Sequence, residues 1–157
     1  MKKLIIISIV FMFYNCENEL SNKIPSFEAV INDNFNWVAD SYVATVQNNQ
    51  LSITGTGQFG TIAMQVDSPE VRSYNLSSLT EEFAIFQDTL QFSTQNDGVN
   101  SIAFLSDGYI DINEIDNVNN TITGHFHFDA YNLTGEYTIN ISEGVFYRIP
   151  ITSEIQD

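Results

Sequence analysis

The sequence predicts an all-β domain, and three observations support this prediction. Short runs of alternating apolar and polar residues are separated by turn-forming clusters such as Gln47-Asn48-Asn49 and Asp97-Gly98. No long segment shows a convincing helical period. A hydrophobic fraction of 43% with 12 Phe and 7 Tyr indicates a folded core. We therefore expect an antiparallel β-sandwich or an up-and-down barrel with short loops and at most one short helix.

The first element is an apolar segment that follows two lysines. Lys2 and Lys3 precede the uninterrupted apolar run from Leu4 to Phe13. As a helix this run would be roughly 15 Å long, about half of the roughly 30 Å hydrocarbon core of a bilayer. It is too short to span a membrane and suits the apolar region of a signal peptide. Residues 1–15 are therefore predicted to be a signal peptide.

Cys16 is the only cysteine of the chain, and it follows the apolar run closely. A single Cys at this place resembles the lipobox of bacterial lipoproteins, in which the thiol takes a diacylglycerol and the Cys becomes the new N-terminus. Each buried acyl methylene contributes about 0.8 kcal/mol, so two or three chains anchor a protein stably in a membrane. We expect an exported outer-membrane lipoprotein, on the periplasmic or the cell-surface face, with residues 16–25 as lipidated N-terminus and tether.

The charge of the remaining chain restricts its partners. Without residues 1–15 the sequence keeps three basic side chains (Lys23, Arg72 and Arg148) against 20 acidic ones, a net charge near −17. Phosphate binding depends on Lys and Arg, so nucleic acid is excluded as a partner. Residues 26–157 have the length of a single domain with a real core.

The strands of this domain are predicted from period-2 runs between turn signals. The best short helical pattern lies over Ser78–Phe86, where Ser78 and Glu81 have capping-box spacing, and it allows at most one or two helical turns. The predicted strands are Phe27–Ile31, Asn36–Val46, Gln50–Gly55, Thr61–Val66, Ser73–Leu76, Thr89–Thr94, Ser101–Leu105, Tyr109–Ile112, Thr121–Ala130, Tyr137–Ile141 and Val145–Ile151.

The clearest alternation lies in Thr121–Ala130. Its apolar face carries Ile122, Phe126 and Phe128, and its polar face carries His125, His127 and Asp129. A sheet with this pattern packs one face on a core and exposes the other.

Two polar sets are weak candidates for binding a metal. His125, His127 and Asp129 share one strand face, which could present them to one ion. Asp111, Asn113 and Asp116 belong to an acidic segment interpreted as a loop after a strand, with oxygen ligands of the kind that calcium prefers. The loop lacks EF-hand spacing. Both sets can also be explained as polar side chains exposed to solvent, so no cofactor is assigned. Calcium is the candidate ion.

Catalytic motifs are not recognised in the sequence. There is no Gly-x-Ser-x-Gly elbow, and no phosphate-binding glycine loop is followed by a lysine. Among Trp37, Tyr42 and Tyr131, which could stack on sugars, Trp37 is interpreted as core and Tyr131 as the better candidate for surface binding. Asp88-Thr89-Leu90 resembles the O-glycosylation sequence of exported Bacteroidetes proteins, which makes Thr89 a candidate attachment site.

Four parts of the sequence together form a recognisable pattern: Phe27–Asn32 with Trp37–Ala39, Ser73–Leu76, Gly124–Ala130 and Ile141–Phe146. This pattern resembles one lipoprotein family of Bacteroidetes, the family with domain of unknown function 6252. The resemblance implies a small β-rich domain on a secreted lipoprotein, with no catalytic residues to transfer.

The expected function is therefore that of a non-enzymatic binding or structural module on a lipid anchor. Its partner would be a glycan, a small ligand or another protein, in addition to the membrane reached through Cys16. The first alternative is a lipocalin-like carrier with an apolar cavity of several hundred Å3. The second is a hydrolase with a pair of partly buried carboxylates in a cleft.

Overall fold

Eleven strands pair into one sheet in this computed structural model, which describes residues 24–99 and 104–153. The all-β prediction is confirmed, and the described residues contain no helix. Among them, accordingly, no helix has the length and apolarity needed to cross a membrane. The strands are β1 (Ser26–Ile31), β2 (Phe35–Val38), β3 (Ser41–Gln47), β4 (Gln50–Gly57), β5 (Gly60–Val66), β6 (Ser73–Ser77), β7 (Phe83–Gln87), β8 (Gln91–Ser93), β9 (Asp107–Asp116), β10 (Thr121–Asn132) and β11 (Thr138–Ser153).

The pairings of seven strands form a closed cycle. The order runs β11-β3-β4-β5-β7-β8-β10, and β10 pairs again with β11. Strand β1 pairs with the same edge of β11 as β3 does, and β2 pairs with β1. On the other side, β9 pairs with β10, and β6 pairs with β9. All pairings are antiparallel except β11 with β3, which are parallel over three residue pairs from Ile151↔Ala44 to Ser153↔Val46.

The hydrophobic core lies on the inward faces of these strands and is centred on Phe27. The Phe27 ring meets Trp37 and Phe126 edge to face, each with centroids 5.4 Å apart, and it meets Phe146 at 6.5 Å. All four side chains are at most 1% exposed. Edge-to-face aromatic pairs are a favoured packing. The interpretation of Trp37 as a core residue is confirmed, and its indole Nε1 donates a hydrogen bond to the Gly60 carbonyl.

The long strand β10 has the predicted two faces. Ile122, Phe126 and Phe128 are buried, whereas His125 is exposed and His127 is half-buried. The alternation continues to Asn132, two residues beyond the predicted end.

Strand β11 joins two segments that were predicted as separate strands. Glu143 and Arg148 have φ of 50° and 51°, in the left-handed region, and each lies where two residues of β11 oppose one residue of β10. Such β-bulges bend a strand and increase its twist without ending it. Residues 138–153 therefore form one bent strand that reaches β1, β3 and β10.

No helical turn forms over Ser78–Phe86, the segment with the best short helical pattern. The Ser77 hydroxyl accepts from the Leu79 amide, and the Thr80 hydroxyl accepts from the Ser77 amide, so a hydroxyl-bonded turn replaces the capping box. Strand β7 then begins at Phe83 and pairs with β5.

Other differences concern strand limits. The predicted strand Asn36–Val46 is divided between β2 and β3. The chain changes its pairing partner from β1 to β4 at Asp40, whose amide donates to the Thr56 carbonyl. Thr89 lies before β8, in the turn that follows β7. Residues 101–103 of the predicted strand Ser101–Leu105 lie outside the described residues, and 104–105 are not in a strand.

Candidate functional site: an acidic groove on the outer face

Five strands form the outer face on which the candidate site lies. Their registers align Val38 of β2, Glu28 of β1, Val145 of β11, His125 of β10 and Asp111 of β9 in one row across the sheet. These side chains point away from the core, since each is exposed or half-buried. Residues far apart in sequence are thus brought side by side.

A groove of about 740 Å3 opens along this row. Val30, Val38 and Val145 supply apolar surface, and Tyr109 adds an aromatic ring. Glu28, Asp111 and Glu143 supply carboxylates. The bulge in β11 turns Glu143 onto this surface. It also places Gly144 close to Phe126, so that a Cβ at Gly144 would come within 2.6 Å of the Phe126 ring.

Within the part of the chain that the structure describes, no ion pair neutralises the carboxylates of the groove. In residues 24–99 and 104–153 both ion pairs are made by Arg72, with Asp67 at 2.6 Å and with Glu70 at 3.5 Å. Arg148 lies over the Tyr147 ring instead. Glu28, Asp111 and Glu143 therefore face solvent together without an ion-pair partner among the described residues.

His125 is held in place beside the groove. Its Nδ1 lies 2.6 Å from the Oδ1 of Asn113, which is the bulged residue of β9 opposite Thr123 and Gly124. Both side chains are exposed. Asn113 thus orients the imidazole, so that only its Nε2 is free to meet a ligand.

A second polar cluster lies further along the same face. One ligand atom each of Asp107, His127 and Asp129 lies within 4.8 Å of the other two. The side-chain amide of Asn140 donates to Asp129 at 2.8 Å. His127 and Asp129 share a face as predicted, but Asp107 completes this cluster and His125 does not belong to it.

The acidic segment interpreted as a loop is part of a strand. Asp111, Asn113 and Asp116 all belong to β9, and the connecting turn begins only after Asp116. At about 3.3 Å per residue, Asp111 and Asp116 are roughly 17 Å apart along the strand. The structure therefore does not bring these three residues to one ion. Asp116 instead accepts hydrogen bonds from the amides of Val118 and Asn119.

An apolar recess of about 350 Å3 lies at one end of the closed cycle. The rings of Phe35 and Phe59 meet edge to face at 4.8 Å on its rim and are 36% and 53% exposed. The other apolar side chains that line it are Ile31, Phe86, Phe92 and Ile139.

The remaining candidates occupy different surroundings. Thr89 is exposed in the turn between β7 and β8, next to Asp88 on the recess. Tyr131 is half-buried, and a Cβ on Gly98 would lie 2.8 Å from its ring, so a loop covers part of it. The Tyr42 hydroxyl donates to the Pro25 carbonyl. Cys16 and the predicted signal peptide lie outside the described residues.

Sequence reasoning missed Glu28, Glu143 and Asp107. Glu28 and Glu143 carry no local motif, and only strand register places them beside His125 and Asp111. The alternation of β10 placed His127 and Asp129 on one face, but Asp107 joins them only through the register of β9 with β10.

The fold and this surface define a small all-β domain with an acidic, partly apolar groove on its outer face. Residues 23–150 match the model of the family described as Domain of unknown function (DUF6252), and the chain belongs to this family. No curated protein and no solved structure matches the chain.

Proposed function

We propose that this protein is an exported, lipid-anchored outer-membrane lipoprotein whose β domain is a non-enzymatic binding module. The observation that supports a binding role is the groove of about 740 Å3 on the outer face. Small-molecule sites are typically concave, mostly apolar and equipped with a few polar groups that fix orientation. The groove has this composition, with three valines and three carboxylates.

The charge of the groove indicates the chemical class of the ligand. Glu28, Asp111 and Glu143 approach it from three strands and have no ion-pair partner among the described residues. A ligand that carries an amine would supply the missing positive charge, and an apolar body would cover Val38 and Val145. We therefore propose a ligand with a cationic group and an apolar part, either a small molecule or the side chain of a protein partner.

An NMR titration of the domain with phenethylamine, compared with phenylpropionate, tests this proposal. We expect the amine to shift the amide signals of Glu28, His125 and Val145 and the carboxylate to leave them unchanged. Glu28→Gln/Glu143→Gln should weaken amine binding at least about tenfold, which corresponds to about 1.4 kcal/mol. Glu81→Gln/Glu82→Gln removes the same net charge elsewhere and should bind as the wild type does. Equal weakening in both variants would mean attraction to the overall charge and would contradict a local site.

The anchor is tested separately with Cys16→Ser in the full chain. Loss of the acyl chains should move the protein from the membrane to the soluble fraction, because a single short apolar segment does not span the bilayer. A variant that stays membrane-bound at full length would show that the uncleaved N-terminal segment is the anchor. Protease treatment of whole cells distinguishes the cell-surface face from the periplasmic one.

The apolar recess favours a second candidate function, that of a carrier for a small apolar ligand. The recess is lined by apolar side chains, among them Ile31, Phe35, Phe59 and Phe92. It lies above the core and does not extend into it. Native mass spectrometry of residues 17–157, purified without chelator, detects a resident ligand as a mass that disappears on denaturation. A carboxylate-dependent hydrolase is the less favoured alternative, since Glu28 and Glu143 in the groove are exposed.

A further inference from the structure

Two aspartates face each other directly on the outer surface. Asp107 of β9 and Asp129 of β10 are register partners, and both side chains are on the solvent side of the sheet. Like charges directly opposite each other destabilise a strand pair. Both ion pairs of the described residues involve Arg72, which pairs with other acids, so no lysine or arginine among these residues forms an ion pair with Asp107 or Asp129.

We propose that Asp107, His127 and Asp129 bind a divalent first-row transition cation. One ligand atom from each residue lies within 4.8 Å of the other two. Two ligands of one such ion are at most about 4.4 Å apart, because each bond is about 2.0–2.2 Å long. Small side-chain rotations therefore close the three atoms around an ion without movement of the strands.

The backbone keeps these residues close. Gly108 has φ of 153°, and a Cβ there would come within 2.3 Å of the His127 carbonyl oxygen. A larger residue at this position would push β9 away from β10 and separate Asp107 from Asp129. The close approach of β9 and β10 at the proposed site therefore depends on the absence of a side chain at Gly108.

A residue outside the ligand set orients one of the carboxylates. The Asn140 amide nitrogen donates to Asp129 Oδ1 at 2.8 Å. Its own Oδ1 is buried and has no hydrogen-bond partner among the described residues. Hydrogen bonds of this kind fix metal-binding carboxylates in productive positions.

The donor set favours a transition ion over calcium. Imidazole nitrogen suits Zn²⁺ and similar ions, whereas Ca²⁺ takes oxygen ligands and more of them. Three side chains on an open strand face leave further coordination positions to solvent. The His127 ring packs near Tyr109, with centroids 6.0 Å apart, and Tyr109 lines the groove. The ion would therefore lie beside the groove, although the proposal does not depend on the groove ligand.

Metal titrations of the purified protein test the site, with Zn²⁺ or Mn²⁺ alone as the probe. We expect Zn²⁺ to raise the Tm and Mn²⁺ to broaden the amide signals of Gly108 and His127 more strongly than that of Phe59. Asp107→Asn should raise the Tm of the metal-free protein, because it removes the repulsion, and should abolish the Zn²⁺-dependent rise. Asn140→Ala should weaken Zn²⁺ binding about 10–100-fold.

A matched pair on β10 gives the sharpest control. His127→Gln should lose Zn²⁺ binding, whereas His125→Gln, two residues away on the same face, should keep it. The proposal is overturned if Zn²⁺ leaves the Tm unchanged, if both histidine variants behave alike, or if Ca²⁺ stabilises the protein as strongly as Zn²⁺. Retained Zn²⁺ binding in Asp107→Asn would also contradict it.

Discussion

Gly124 lies directly against the ring of Phe146. A Cβ at Gly124 would come within 2.3 Å of Phe146 Cζ and within 2.1 Å of the Asp111 carbonyl oxygen. The inner face of β10 is therefore without a side chain at this position, and the Phe146 ring occupies the space. Because one of the two obstacles is backbone, rotation of the ring alone cannot make room for a methyl group.

Gly124→Ala should consequently destabilise the domain. We expect a loss of at least about 1–3 kcal/mol in the free energy of unfolding, the usual cost of overpacking a core. The measurement is urea denaturation followed by tryptophan fluorescence, with Trp37 as the only reporter. His125→Ala, at the exposed neighbouring position, should change stability much less. Equal effects of the two substitutions would contradict the packing argument.

Phe27→Ala should be among the most destabilising substitutions in the core. Its ring contacts Trp37, Phe126 and Phe146, and it is fully buried. Removal of such a ring typically costs about 3–5 kcal/mol. Phe59→Ala is the matched control, since the same truncation at a side chain that is 53% exposed should have a much smaller effect on the urea midpoint. A comparable loss in both variants would mean that Phe27 is not the centre of the core.

Tyr74→Phe should destabilise the segment between β5 and β6. The Tyr74 hydroxyl donates to the Ser68 carbonyl at 2.6 Å and accepts from the Glu70 amide at 3.2 Å, and the side chain is 2% exposed. Loss of these bonds should cost about 1–2 kcal/mol. Amide hydrogen exchange should show faster exchange at Glu70. Tyr109→Phe, at a 39% exposed ring, serves as control.

The stability contributed by Asp116 should depend on pH. Hydrogen bonds from the Asn119 side chain, and from the amides of Asn119 and Val118, lower the pKa of Asp116 from its ordinary value of 3.8. A lowered folded-state pKa means that ionised Asp116 stabilises the fold above pH 3.8, and that this contribution is lost as the pH falls through the folded-state value. Asp116→Asn should therefore lower the Tm near pH 7, and the difference from wild type should shrink at about pH 2. A difference that grows on acidification would give the opposite sign and contradict this account.

Some features of a strand could be predicted from the sequence, and others could not, as β10 and its neighbour β11 show. The alternation in β10 identified its buried face, because period 2 is a local property of the chain. The continuity of β11 could not be predicted, since Glu143 and Arg148 adopt left-handed conformations that nothing in their side chains requires. The same holds for the site: His127 and Asp129 share a face by local periodicity, but Asp107 joins them through register. Register depends on which strands pair, and a single sequence does not state this.

Because β11 closes the strand cycle, the domain cannot complete its sheet until the C-terminal strand has been synthesised. Strand β11 pairs with β1, β10 and β3, so residues 138–153 complete the connections between the earliest and the latest described segments. Until these residues have emerged, β1 has only β2 as a neighbour, and the outer-face groove lacks Glu143 and Val145. Long-range pairings of this kind form slowly. Assembly of the domain is therefore expected to follow synthesis of the whole β region, because β11 supplies the pairings that close the strand cycle.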